Sequence, residues 1–310
     1  MKIVLVGPGC SSIPPKGWGA VESIVWDYFQ ELTAQGHDAV IVNRPDKNDI
    51  IQECNSYPDH IVHIMYDDHI DIVPYLHSKK ILYTSHLAYI THPLFAKEYD
   101  PYYETIFKKV IEYQSLITLY ALSSQIQDVY RKHGYSGKSL VLRNGARPFR
   151  TTLAPKKGHR SIYVGKIEYR KCQYKYQTIP CIDFVGNYYD SPFHSSDYLG
   201  EWDKHTLFES LTDYGNLVLL SQPEADPLVV KEALMAGLGV VLSECSSANL
   251  DLSKEFITII PNEKLDDLNY VRKEIEKNRA YSLQHREEIV EYATYFSWNT
   301  IIKEYVSLLV

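Results

Sequence analysis

Short apolar runs alternate along this chain with longer stretches in which apolar side chains recur every three to four positions. The short runs lie at 2–6, 38–42, 61–65, 80–84, 117–121 and 139–142, and again at 161–164, 182–185, 217–220, 240–242 and 256–260. Each is too brief for a stable helix and nearly continuous in apolar character, the pattern of a strand buried on both faces of a parallel sheet. Helical periodicity fills the gaps. After Gly19, the residues Val21, Ile24, Val25, Tyr28, Phe29 and Leu32 share one face. Further helices are expected near 102–113, from a Ser123 cap to about 133, near 203–211, after Pro227, and near 264–278 and 282–293, with a last one through Ile301, Ile302, Tyr305 and Leu308. Between 148 and 159 the period is lost among Pro148, Thr151, Thr152, Pro155, Lys156, Lys157 and Gly158, which reads as a linker. Strand–helix alternation on both sides of it predicts an α/β protein of two domains, about 1–150 and 151–295.

Composition narrows the classes. The chain has 310 residues, 45% hydrophobic and 23% charged, enough for two cores. A net charge of −7 disfavours broad contact with nucleic acid. No apolar run nears the roughly 20 residues of a membrane helix, which leaves only peripheral membrane contact. Cys10, Cys54, Cys172, Cys181 and Cys245 are scattered and lack C-x-x-C spacing, as expected for a reducing cytoplasm and against a disulfide or zinc framework. The 26 tyrosines serve strands and wet surfaces equally and decide nothing.

The chemistry gathers around Gln222–Gly237. The strand 217–220 leads to Glu224, Asp226-Pro227 reads as a capped helix start, and the helix that follows is apolar nearly all round. Glu224 falls at a strand's C-terminal tip, where open α/β sheets take ligands. Glu232 falls within an apolar helix, where an unpaired charge is costly. The helix rises about 7.5 Å from Pro227 to Glu232, so the two carboxylates suit separate parts of one ligand. A loop glutamate plus a surface glutamate beside Lys231 is the plain alternative, and the residues alone leave both open. A basic cluster, Lys166, Arg170, Lys171 and Lys175 against Glu168, suits a diphosphate or is a solvated charge run. Gly7-Pro8-Gly9 after the first strand invites a dinucleotide-binding reading, but the third glycine is missing and Pro14-Pro15 delay the helix. Gly17-Trp18-Gly19 stands directly before a helix, where backbone N–H groups can meet an anion or the loop is simply an entry. His86 follows the fourth strand, placed to donate to a sugar or phosphate oxygen or to be satisfied by loop backbone. The Tyr, His and Pro mixture at 89–103 is either an acceptor-facing loop or an ordinary surface loop.

Glu224, seven residues, Glu232, followed by Ala233-Leu234-Met235-Ala236-Gly237, resembles the E-x7-E segment of retaining glycosyltransferases of family 4, which have the GT-B fold. Arg143-Asn144-Gly145, Gly165-Lys166 to Lys171, Asp197-Tyr198-Leu199-Gly200 and the closing Ser297-Trp298 also resemble that family's steps, so the likeness spans nearly the whole chain. It implies two Rossmann-like domains with parallel sheets facing across a cleft, the first on the acceptor side, the second on the donor side, and a helix at about 296–310 packing back on the first. It implies transfer from a nucleotide-diphosphate sugar, UDP-, GDP- or ADP-linked, to a glycan or other hydroxyl, with no resident cofactor. Glu224 would hold donor-sugar hydroxyls and Glu232 the ribose diol. Lys166 and Lys171 would hold the diphosphate, and Gly17, Trp18 and Gly19 would lie over the phosphates. His86 would touch the donor sugar, and Asp226 and Leu228 would line the donor site. No Asp-x-Asp occurs, so turnover without a metal is expected. The chain departs from the family at Lys166 and Cys172, in place of arginine and glycine, and at Ala225-Asp226-Pro227, in place of Gly-Phe-Gly. A sugar-nucleotide epimerase of similar fold, or a binder without chemistry, is the alternative.

Overall fold

A computed structural model describes residues 1–17, 19–91, 100–149 and 154–309. It divides into unit 1, Met1–Arg143 with Ile301–Val310, and unit 2, Asn144–Thr300.

Among the described residues, unit 1 holds six strands, β1 (Lys2–Val6), β2 (Asp38–Val42), β3 (Ile61–Ile64), β4 (Ile81–Ser85), β5 (Ile117–Ala121) and β6 (Ser139–Val141). They form one parallel sheet in the order β2-β1-β3-β4-β5-β6. Helices α1 (Ala20–Ala34), α2 (Lys47–Asn55), α3 (Asp100–Glu112) and α4 (Ser124–Lys132) connect them. The sheet core is Ile3, Val4, Leu5 and Val6 of β1, none exposed, with Ile24, Val25, Tyr28 and Leu32 of α1 against the same layer.

Unit 2 holds β7 (Lys157–Val164), β8 (Ile167–Glu168), β9 (Ile182–Val185), β10 (Tyr188–Asp190), β11 (Tyr214–Leu219), β12 (Gly239–Ser243) and β13 (Ile257–Ile260). Its main sheet is parallel in the order β13-β12-β11-β7-β9, and β8 pairs with β10 separately. Its helices are α5 (Gln173–Tyr176), α6 (Lys204–Ser210), α7 (Leu228–Met235), α8 (Leu268–Gln284) and α9 (Arg286–Ala293). The last helix, α10 (Trp298–Leu309), starts in unit 2 and ends in unit 1. In both units the first strand lies between its successor on one side and the remaining strands on the other. Each sheet therefore has a winding reversal, between β1 and β3 in unit 1 and between β7 and β11 in unit 2, and it is outside such reversals that open α/β sheets bind ligands.

The fold is α/β with parallel sheets, as read from the apolar runs, and several details differ from that reading. Helix α7 begins at Leu228, with Pro227 at the cap position and no side-chain cap, so Asp226 is not a capping residue. Residues 197–199, where the resemblance implies a short strand, make only a single bridge to β9, Tyr198 to Phe184. The supposed linker is cut short, because β7 already begins at Lys157. Helix α8 starts later than expected, where the Asp267 side chain accepts from the Tyr270 N–H at 3.1 Å. Of the loop at 89–103, residues 92–99 lie outside the described residues. Among the described residues no helix is long and apolar enough to cross a membrane.

Candidate functional site

In unit 2 the winding reversal gathers the charged candidates. After β7 the chain passes Gly165-Lys166 into β8. Gly186, after β9, has φ 155°, and a Cβ there would lie 1.9 Å from the Gly165 carbonyl oxygen. Only glycine allows the two segments this close, and beyond them β8 and β10 pair. The turn that follows β8 presents Arg170 and Lys171 toward the loop after β11. Lys171 Nζ donates to Glu224 Oε1. Arg170 Nη1 lies 3.4 Å from the same oxygen and donates to the Pro223 carbonyl at 2.8 Å. The other arm of Arg170 donates to Glu168 at 2.8 and 3.1 Å, and the Arg170 carbonyl accepts from the Gln222 N–H at 2.8 Å. Backbone and side chains thus stitch 168–171 to 222–224.

Burial opposes charge on Glu224, but Lys171 and Arg170 more than offset it and hold the carboxyl below its ordinary range. Burial lowers Lys171, with Glu224 pulling it back up. Lys166 is the most open of the three cations, its side chain 39% exposed. Its Nζ sits 3.7 Å from Glu168 and 3.8 Å from the centre of the Tyr189 ring. Three cations therefore face two carboxylates, a net positive patch at the strand tips.

Glu232 is buried on α7 and pairs with Lys204 of α6, whose own side chain is 43% exposed. The plain alternative of a surface glutamate beside Lys231 is therefore corrected: Lys231 is fully buried and turned elsewhere, onto Asp226. Asp226 itself was expected to line the donor site, and here it points inward. Its carboxylate has no exposed surface, pairs with Lys231, and accepts from the Asn144 N–H at 2.6 Å. Burial raises its pKa even with Lys231 alongside. Leu228 opens α7 half-buried, on the helix that carries Glu232.

The remaining candidates belong to unit 1. Gly19 is the cap residue of α1, its carbonyl accepting from the Ser23 N–H at 2.9 Å. The Glu22 carboxylate stands 2.8 Å from where a Gly19 Cβ would be. Gly17 precedes it, and Trp18 lies outside the described residues. Gly9 (φ 80°) makes a packing turn instead of a nucleotide loop: its N–H donates to Asn43 Oδ1 at 2.7 Å, and a Cβ would meet the Arg44 carbonyl oxygen at 2.0 Å. His86 follows β4, and its backbone N–H donates to Asp67 at 3.0 Å. Its Nε2 is buried and meets no hydrogen-bond partner among the described residues, and burial pulls the ring down to about 4. Asp67 accepts from neutral donors such as the Tyr83 hydroxyl at 2.9 Å and is pushed up to about 7, by burial first and by the neighbouring Asp68 carboxylate last. Among the described residues no group of three or more His, Cys, Asp or Glu side chains is arranged to hold a metal ion.

Sequence reasoning did not single out Lys204, Tyr189, Asp67 or the pairing role of Arg170. A charge on an apolar helix says that Glu232 needs a cation; nothing local says that it comes from 28 residues upstream.

No protein-family model and no curated protein sequence matches this chain. Solved structures do match its fold from end to end. Sucrose-phosphate synthase from Thermosynechococcus elongatus superposes with a TM-score of 0.76 at 15% identity, over 100% of this chain and 98% of that one. HepE of Anabaena, solved in complex with UDP-glucose, gives 0.72 at 13% identity, over 100% and 99%. The lipopolysaccharide outer core galactosyltransferase WaaB, in its apo form, gives 0.64 at 13%, over 100% and 99%. These neighbours are glycosyltransferases of the GT-B fold, and that is the fold of this chain.

Proposed function

We propose that this chain is a retaining glycosyltransferase of the family 4 type, moving a sugar from a nucleotide-diphosphate donor to a glycan or other hydroxyl acceptor without a metal. The observation that carries the reading is the Lys171–Glu224–Arg170 contact at the reversal of the unit 2 sheet. Cations and a carboxylate are there preassembled at the strand tips, where a charged ligand would dock. Lys166, Arg170 and Lys171 would neutralise charge developing on the leaving diphosphate, electrostatic work that costs least when the groups are already oriented. Glu224 would accept from donor-sugar hydroxyls and Glu232 from the ribose diol. In this reading unit 2 takes the donor and unit 1 the acceptor, and the leaving phosphate oxygen takes the acceptor proton. Gly17, Trp18, Gly19 and His86 are proposed as the unit 1 contribution to the donor end. Asp226 is withdrawn as a ligand contact and Leu228 kept as a lining residue. The cytoplasm is the proposed compartment, where nucleotide sugars are made.

HepE was solved with UDP-glucose, so that donor is the first to assay, followed by GDP- and ADP-sugars with glycan acceptors. Transfer with the donor's anomeric configuration kept, and undiminished by a chelator, is the expected result. An inverted product removes the retaining assignment. Activity abolished by chelator and restored by Mn²⁺ or Mg²⁺ removes metal independence. A free isomerised donor establishes the epimerase instead. Donor bound but never consumed establishes the binder.

A further inference from the structure

We propose that the buried Asp226–Lys231 pair is a positioning device that sets Glu224 and Glu232 at a fixed separation. The two residues lie between those carboxylates in the sequence. Asp226 follows Glu224 by two positions, and Lys231 immediately precedes Glu232. One partner sits on the loop after β11, the other within α7, and both side chains are 0% exposed. The loop partner is held from a second side. Asn144, the residue at which the chain enters unit 2, donates its N–H to the Asp226 carboxylate at 2.6 Å and its Nδ2 to the Asp226 carbonyl at 2.8 Å. Lys231 Nζ in turn lies 3.4 Å from the Ala248 carbonyl and 5.8 Å from the centre of the Phe296 ring.

A buried ion pair contributes little net stability compared with apolar side chains of the same shape. Its physical effect is directional: it admits one arrangement of loop on helix and penalises the others. A strand-to-helix loop is the part of such a unit most free to shift, and small misplacements of a ligand-holding group are costly. Pinning the loop at Asp226 to the helix at Lys231 removes that freedom where both flanking residues carry a candidate contact. This rests on the reading of Glu224 and Glu232 as holding two ends of one ligand.

The informative variant is the double substitution Asp226→Asn with Lys231→Met. Asparagine keeps an oxygen for the Asn144 N–H, and methionine fills the lysine stem without a buried charge, so folding is retained. Two measurements follow. Amide hydrogen exchange at 221, 222 and 224–226 is expected to quicken about tenfold in the double variant while the melting temperature stays near that of the parent. The affinity advantage of UDP-glucose over UDP is expected to shrink about tenfold, with UDP itself changed less than about threefold, because a ligand held at two ends gains from their fixed spacing. Unchanged exchange, or an unchanged ratio, overturns the proposal. If the parent chain binds no UDP-, GDP- or ADP-sugar, the functional reading fails by itself, and the exchange measurement alone decides the positioning role. If the double variant does not fold, Lys231→Met alone, which removes the cation of the pair and leaves the Asp226 carboxylate on the Asn144 N–H, goes to the same exchange measurement. Faster exchange there supports the device and unchanged exchange ends it.

Discussion

The two winding reversals begin from the same strand order and treat burial in opposite ways. At the edge of unit 1, Asp67 is met by a hydroxyl and a backbone N–H, and desolvation wins: the carboxyl rises to about 7 and the His86 ring falls to about 4. Near pH 5 both are uncharged. At the edge of unit 2, Glu224 is about as enclosed but faces Lys171 and Arg170, and there charge wins. Neutral donors alone do not repay the loss of water around a carboxylate, whereas two cations do.

The strongest way to break this contrast is to discharge the second edge. Lys171→Ala is expected to cut transfer by about 10²–10³-fold, the usual cost of one lost electrostatic contact to a developing anion. Steady-state kinetics with the donor found by screening checks it, and unchanged turnover would remove the site assignment. The neutral side of the comparison is tested next by His63, which is buried between the Tyr305 hydroxyl at 3.0 Å and Thr84 Oγ1 at 2.7 Å. His63→Leu strands both hydroxyls and should lower stability by about 2–4 kcal/mol, read from urea unfolding.

The third prediction concerns pH. Burial lowers His63 to about 3 and His86 to about 4, while Asp67 rises to about 7. Near pH 5 the unfolded chain binds both histidine protons that the folded chain refuses, which removes stability on acidification. Asp67 works the other way, holding a proton only when folded, so its contribution is present at low pH and fades as pH climbs through about 7. On these three groups the net is about one proton, a loss of roughly 1.4 kcal/mol per unit of acidification around pH 5. Asp67→Asn should steepen this to about two protons, near 2.7 kcal/mol per unit. Urea midpoints between pH 4.5 and 6 decide the matter, and an unchanged slope would show that Asp67 is ionised. The last variant is Lys204→Met. It leaves the buried Glu232 carboxylate without the cation it pairs with, so stability should fall by about 1–3 kcal/mol, read from the same unfolding.

Strands were the most legible part of this chain. The runs 2–6, 38–42, 117–121 and 182–185 coincide with β1, β2, β5 and β9, because each is a short, mostly apolar run bounded by polar or turn residues that mark its ends. Helix α2 escaped notice: only Ile50 and Cys54 are buried in it, and its signal was the Asp46 cap, whose carboxylate accepts from the Asn48 and Asp49 N–H groups. At the site, a charge in an apolar helix pointed correctly to something unusual at Glu232, and the same logic applied to Lys231 would have demanded an acid. Local reading instead gave Asp226 the cap and then the ligand, because the aspartate–proline pair is so often a helix start. Partners such as Lys171 for Glu224, 53 residues apart, come from sheet order, which no local pattern encodes.

The closing helix has a consequence for how the protein can be taken apart. Residues 301–309 belong to the first unit although the chain reaches them through the second. There Tyr305 holds His63, the Leu309 carbonyl accepts from Lys80 Nζ at 2.6 Å, and Glu304 meets Arg143 at 2.8 Å. A fragment ending at residue 143 would therefore surrender part of its own interior. Splicing 301–310 directly behind that cut would return the missing piece, and only a fragment built this way should be asked to stand alone.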